Sequence, residues 1–155
     1  RSTPIKSSAA SDVYNRQGGG LTNGIRSASM AAYVEHQGAY GVVCNSKIGL
    51  ETIHDIKDAV EIPVVYTVIS EKTDIQPYLD AGVDIINVSG AARTPEIVAA
   101  LRARYPELAI IATGGPTEES ILSTIQAGAN AITYTPPSSA SLFAKTMADN
   151  RSELE

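Results

Sequence analysis

Three glycines constrain this chain most. Gly38, Gly82 and Gly128 each close a stretch of helical composition and precede a short apolar run. The segments are Gln37-Gly-Ala-Tyr-Gly-Val-Val-Cys, Ala81-Gly-Val-Asp-Ile-Ile-Asn-Val and Ala127-Gly-Ala-Asn-Ala-Ile-Thr-Tyr, and the glycines are spaced 44 and then 46 residues apart. Glycine enters the left-handed conformation that stops a helix before a tight turn without steric cost. Each interval has room for two strand–helix units. The regular spacing therefore favours a barrel or its relative over an irregular doubly wound sheet.

The remaining elements follow from pattern. Helical composition covers Ile25–Gln37, Leu50–Val60, Thr73–Ala81, Thr94–Tyr105, Pro116–Gln126 and Ser141–Asp149. Thr94 and Thr117 stand where helix caps are expected, with Pro95 in the first turn of one helix and Glu118 and Glu119 in that of the other. Apolar runs at Tyr40–Cys44, Val64–Ile69, Asp84–Val88, Leu108–Ala112 and Ala131–Thr135 read as strands. Strands so continuously apolar are expected to be buried on both faces of a parallel sheet covered by helices. The fold class is thus α/β, a partial (β/α) barrel of about five parallel strands.

At 155 residues the chain is shorter than the roughly 250 typical of a complete eight-stranded barrel. Residues 1–17, RSTPIKSSAASDVYNRQ, are polar and carry no period, and they are expected to be peripheral or irregular. Ser7–Gln17 is similar to a translated sequencing-library adaptor, SSAASDVYKRQ, from which only Asn15 departs. The domain proper is then 18–155, a truncated chain that begins with the Gly-rich Gly18–Asn23 segment. Setting aside Arg1, Lys6, Arg16 and Asp12 leaves nine basic and sixteen acidic residues, shifting the net charge from −5 to −7. This acidity argues against nucleic acid as a partner. No apolar run approaches the roughly 20 residues of a membrane span, and the N-terminus has no secretory pattern, so a cytoplasmic location is expected. The single Cys44 excludes an internal disulfide.

Residues 110–137, IIATGGPTEESILSTIQAGANAITYTPP, resemble the last two strand–helix units of phosphate-binding (β/α)8 barrels. The resemblance implies a phosphate cradled by backbone N–H groups of Gly114 and Gly115 and by a second loop at Thr135 and Ser138. Pro136 and Pro137 depart from that pattern because they lack an N–H to donate. Hydroxyls of Thr135, Ser138 and Ser139 are the substitutes available. Residues 37–70 are similar in spacing to N-acylmannosamine-6-phosphate 2-epimerase barrels. There the family's arginine falls on Val43, its lysine on Ile69 and the aspartate of its next strand on Ser89, so only Asn45 matches. The resemblance implies the scaffold, with the epimerase chemistry absent or rebuilt. Its partner would be a small phosphorylated metabolite, and no cofactor is implied.

Ligands in such folds sit beyond the carboxyl ends of the strands. That rule selects Asn45, Ser46 and Lys47 after the first strand, and Ser70, Glu71 and Lys72 after the second. It selects Ser89, Gly90 and Arg93 after the third and Thr113, Gly114 and Gly115 after the fourth, with Thr67 and Asn87 in the last turns of their strands. Lys72 would act as a desolvated amine, Glu71 as a general base, and Asn87 as a polar group among apolar neighbours that a ligand can satisfy. Asn45, Thr113 and Arg93 would hold the substrate, Arg93 by its fork of donors. Ordinary roles compete with each of these: exposed charges for Lys47, Glu71 and Lys72, a satisfied core amide for Asn87, and a helix-start contact for Arg93. His36, His54 and Cys44 read as structural, and Tyr78 and Tyr105 as helix-surface packing. No metal constellation is present, since the two histidines lie on different elements. Three functions remain in view: an isomerase, epimerase or lyase of phosphorylated metabolites, a regulatory barrel that binds without turnover, and a chain that associates through two open sheet edges.

Overall fold

The computed structural model describes residues 24–115 and 117–133. The segment 1–17, the loop over 18–23, the helix expected over 141–149 and the sites expected at Thr135 and Ser138 lie outside the described residues. The elements run α1 (Gly24–His36), β1 (Val42–Cys44), α2 (Leu50–Ala59), β2 (Val64–Val68), α3 (Gln76–Asp80) and β3 (Ile85–Val88). They continue with a 3-10 turn (Ala91–Arg93), α4 (Thr94–Arg104), β4 (Ile110–Thr113), α5 (Glu118–Gln126) and β5 (Ala131–Thr133). All five strands are parallel and lie side by side in chain order. No helix among the described residues is long and apolar enough to cross a membrane.

The three glycines turn the chain as the sequence requires, with φ of +87° at Gly38, +102° at Gly82 and +109° at Gly128. Three local expectations are revised. The helix expected over Thr73–Ala81 is only the five-residue α3, because Thr73 turns back onto the Ser70 carbonyl and the Gln76 N–H is taken by Asp74 Oδ1. Thr94 does not cap α4. Its buried hydroxyl instead accepts from the Gly90 N–H, which fastens the 3-10 turn to the helix. The fourth strand begins at Ile110, two residues later than expected. Thr117 does cap α5, accepting from the Ser120 N–H while the Ser120 hydroxyl accepts from the Thr117 N–H.

Among the described residues, one face of the strands is fully buried and the other only partly. Val42, Cys44, Val64, Tyr66, Val68, Ile86, Val88, Ile110 and Ala112 are buried against the helices, together with Ile53, Ile56, Ile97 and Val98. Of the residues of opposite phase, Val65 is buried, Val43, Thr67, Ile85, Asn87 and Ile111 are half-buried, and Thr113, Ala131 and Thr133 are exposed. The alternation follows from the period-two geometry of strands. The row of strands does not close on itself among the described residues, so the second face has no opposing strands to cover it.

The amino-terminal end of the sheet is fastened twice by the same device. Asp84 Oδ2 accepts from the Val64 N–H at 2.8 Å and from Lys57 Nζ at 2.9 Å. Forty-six residues on, Asn130 Oδ1 accepts from the Ile110 N–H at 2.9 Å and from Arg102 Nη2 at 2.7 Å. Arg102 also donates to the carbonyls of Gly128, Pro106 and Leu108 at 2.8, 2.6 and 2.8 Å. The cation lies against the turn in both copies. A Cβ at Gly82 would stand 3.1 Å from Lys57 Cγ, and one at Gly128 would stand 3.0 Å from Arg102 Cγ. The sequence echo thus extends from its glycines to a side-chain clamp.

Candidate functional site

The uncovered face turns polar toward the carboxyl ends of the strands. Its lower row, in register, is Val43, Val65 and Ile85. The next is Thr67, Asn87, Ile111 and Ala131. The topmost pair is Thr113 and Thr133, with Ser89 one residue past the paired Val88 and Ala112 and the exposed Ile69 one residue past Val68. Asn87 Nδ2 donates to Thr67 Oγ1 at 3.3 Å. Asn87 is therefore a half-buried amide with one side-chain partner.

The loops beyond this face are held from below. Asn45 Oδ1 accepts from the Lys47 N–H and folds its own loop. Two tyrosines then pin that loop: Tyr66 donates to the Ser46 carbonyl at 3.3 Å and Tyr78 to the Ile48 carbonyl at 3.1 Å. Their rings stack at 3.9 Å, and burial, reinforced by Tyr78, pushes the Tyr66 hydroxyl well above the usual tyrosine range. Tyr78 is thus more than helix-surface packing. A tyrosine at the helix-facing phase of β2, one helix before a second tyrosine, was the available signal. Cys44 is fully buried.

Glu71 and Arg93, chosen separately from the sequence, meet in the structure. Both Glu71 carboxylate oxygens accept from Arg93 Nη2, and Arg93 Nε donates to Glu96. The bond from Arg93 holds the Glu71 carboxyl below the usual carboxylate range, with a weaker pull from Lys72. Glu71, and then Glu96, push the Arg93 guanidinium up. A carboxylate so stabilised is a weak proton acceptor, which counts against Glu71 as the general base. Lys72 is exposed, and its backbone N–H is taken by Ser70 Oγ, so the burial expected of a reactive lysine is absent.

The glycine loop is already engaged. The Gly114 N–H donates to the Thr133 carbonyl at 2.8 Å, which removes it from any phosphate cradle. A Cβ at Gly114 would stand 2.8 Å from Ile132 Cγ2, and one at Gly115 would stand 2.5 Å from Ser120 Oγ, so close packing requires both glycines. The capping box consumes the N–H groups of Thr117 and Ser120, and Glu118 and Glu119 open α5. Of the cradle implied by resemblance, the Gly115 N–H and the first amides of α5 are what remain.

No protein-family model matches the chain, and no curated sequence matches it significantly. Solved structures do. A phosphonomutase candidate from Burkholderia cenocepacia J2315 superposes with a TM-score of 0.56 at 18% identity, over 81% of this chain and 62% of that one. A structure described as native KDPGal gives 0.58 at 18% identity, over 86% and 66%. Mandelate oxidase with benzoyl-formic acid gives 0.58 at 17%, over 74% and 46%. The chain folds as a partial (β/α) barrel. At such identities the likeness carries the fold alone, and the chain spans only 46 to 66% of the length of these barrels. In a barrel the uncovered face corresponds to the interior, and Thr67, Asn87, Ser89, Thr113 and Thr133 stand near its carboxyl mouth.

Proposed function

We propose that this barrel binds a small phosphorylated metabolite at the carboxyl mouth and, as part of an enzyme, acts as an isomerase, epimerase or lyase. The observation that carries the reading is the polar cluster of Thr67, Asn87, Ser89, Thr113 and Thr133 on the uncovered face. Uncharged donors and acceptors at strand ends orient hydroxyl and carbonyl groups of a small ligand. Asn87 would lie beside the reacting carbons, and Asn45 on the pinned first loop would border them. Phosphate recognition would come from one of two sides of the mouth: Gly115 and the start of α5 with Thr135 and Ser138, or Arg93 after β3.

One observation favours a second reading, binding without turnover. The carboxylate best placed as a base, Glu71, is tied to Arg93. The test is a panel of short phosphorylated sugars and oxo acids, followed by NMR for product and for backbone amide shifts of the protein. The enzyme reading expects product, lost in Asn87→Ala, and shifts at Asn87, Ser89 and Thr113. Shifts without product select the regulatory reading. No shift at these residues with any phosphorylated compound overturns both.

A further inference from the structure

Cations are divided unevenly around the mouth. Lys47, Lys72 and Arg93 follow β1, β2 and β3, so three successive strand-end loops each carry a cation, offset by Glu71 and Asp74 in those loops and by Glu51 and Glu96 in the first turns of α2 and α4. The β4 loop has no cation among the described residues, Glu118 and Glu119 open α5, and the Gly114 N–H is spent. The side chains able to pair with an anion therefore lie on the β1–β3 side, the reverse of what the glycine loop implies. On that side Arg93 has the planar fork suited to a phosphate or carboxylate. The fork is occupied: Glu71, from the loop after β2, reaches the loop after β3 and gives Arg93 Nη2 both of its oxygens, while Arg93 Nε donates to Glu96. The pair is solvent-accessible, with side chains 57% exposed for Arg93 and 34% for Glu71, so water can replace either partner without a buried charge being stranded. Ser70 and Ser89 flank the two loops just above Thr67 and Asn87.

We propose that Arg93, and not the Gly114–Gly115 loop, receives the phosphate monoester of the ligand, and that Glu71 is its resident competitor, displaced when the ligand binds. This rests on the reading of the mouth as a phosphometabolite site. Glu71 then acts as a threshold. It holds Arg93 in place between ligands, links the loops that follow the neighbouring β2 and β3, and gives way only to an anion that offers more than one carboxylate does. A dianionic phosphate meets that condition better than a monoanionic carboxylate, so the exchange also selects for charge.

The experiment titrates inorganic phosphate, glycerol phosphate and acetate into the full chain and into Glu71→Gln, Arg93→Gln, Arg93→Lys and the Glu71→Gln/Arg93→Gln double variant, read by amide shifts. Unfolding midpoints accompany each variant to show that it remains folded. Glu71→Gln is expected to tighten both phosphates about tenfold, Arg93→Gln to weaken them at least tenfold, and Arg93→Lys to fall between. The double variant is expected to bind no better than Arg93→Gln, and acetate to bind weakly throughout. Inorganic phosphate matching glycerol phosphate would place recognition in the phosphate group itself. Tighter glycerol phosphate would add contacts from the polar cluster. Phosphate shifts at Gly115 and Thr117 that ignore Arg93→Gln overturn this proposal while leaving the mouth a phosphate site. An unchanged or weaker affinity in Glu71→Gln overturns the competitor role. No phosphate binding by any form overturns the functional reading with it.

Discussion

The two ends of the sheet are built on opposite rules. At the amino-terminal end, polar side chains are saturated: Arg102 alone serves four carbonyls and Asn130, and Asp84 serves both a strand N–H and Lys57. At the carboxyl end, Asn87 has a single long contact to Thr67, and Thr113 and Thr133 are exposed. Barrels separate stability from function along the strand axis. Here the separation is visible as a difference in hydrogen-bond saturation. Groups that fasten the fold have spent their donors and acceptors within the chain, whereas Asn87, Thr113 and Thr133 retain capacity for a ligand, and Arg93 and Glu71 beyond them are spent on each other.

The sharpest way to break this comparison is Arg102→Ala. It strands the carbonyls of Gly128, Leu108 and Pro106 together, and charged hydrogen bonds contribute roughly 1.5–3 kcal/mol each when broken singly. Because those carbonyls are partly reached by water, the expected loss is about 3 kcal/mol, read as a lower midpoint in urea, with phosphate shifts at the mouth unchanged. An equal loss of binding would show that the ends are coupled.

Asp84 gives a smaller and more discriminating test, because the second clamp shows what a neutral residue does in its place. Asp84→Ala leaves the Val64 N–H without its acceptor and should cost about 2 kcal/mol. Asp84→Asn keeps the acceptor, as Asn130 does for Ile110, and loses only an exposed ion pair with Lys57. Its cost should stay below about 1 kcal/mol and should shrink in high salt. A loss in Asp84→Asn as large as in Asp84→Ala would mean that charge, rather than the strand N–H, dominates the clamp.

The sequence made the frame legible and the clamps illegible, for a physical reason. Gly38, Gly82 and Gly128 announce themselves because a left-handed helix stop needs glycine locally, within a few residues. Arg102 reaches Gly128 across 26 residues of chain, and nothing near Arg102 marks that destination. A faint signal existed in Gly-Val-Asp84 and Gly-Ala-Asn130, where a side chain with a carbonyl oxygen stands two residues after each glycine. At the mouth, sequence order picked out Glu71 and Arg93 singly, since each follows a strand. Their pairing depends on β2 and β3 being neighbours, and it changes the role of both. Gly114 shows the converse. A glycine after a strand reads as a phosphate contact, yet its N–H bonds Thr133 and its missing Cβ makes room for Ile132.

On the carboxyl side the expected stability effects fall to near zero. Thr113→Val replaces an exposed hydroxyl and should shift stability by less than about 0.5 kcal/mol, while weakening a ligand that uses the polar cluster several-fold. A stability loss comparable to that of Asp84→Ala would place Thr113 among the fastening groups and blur the division between the ends.

The smallest expected effect is that of pH on Glu71. Its folded carboxyl is held below the ordinary range by Arg93, so any stabilisation from the pair is fully present above the ordinary carboxylate pKa, roughly 4.3. It is lost as the pH falls through the lowered value, when Glu71 takes up a proton and releases the guanidinium. Because both groups are exposed, the stability change should be barely measurable, and carbon-detected NMR of the Glu71 carboxyl is the suitable reading. The midpoint should lie below the ordinary range in the full chain and return to it in Arg93→Gln. Added phosphate at neutral pH should loosen the same pair without any proton, because at the mouth an anion and a proton compete for one contact from opposite sides: the anion takes Arg93, and the proton takes Glu71. The clamp at Asp84, with no ligand to admit, should ignore phosphate altogether.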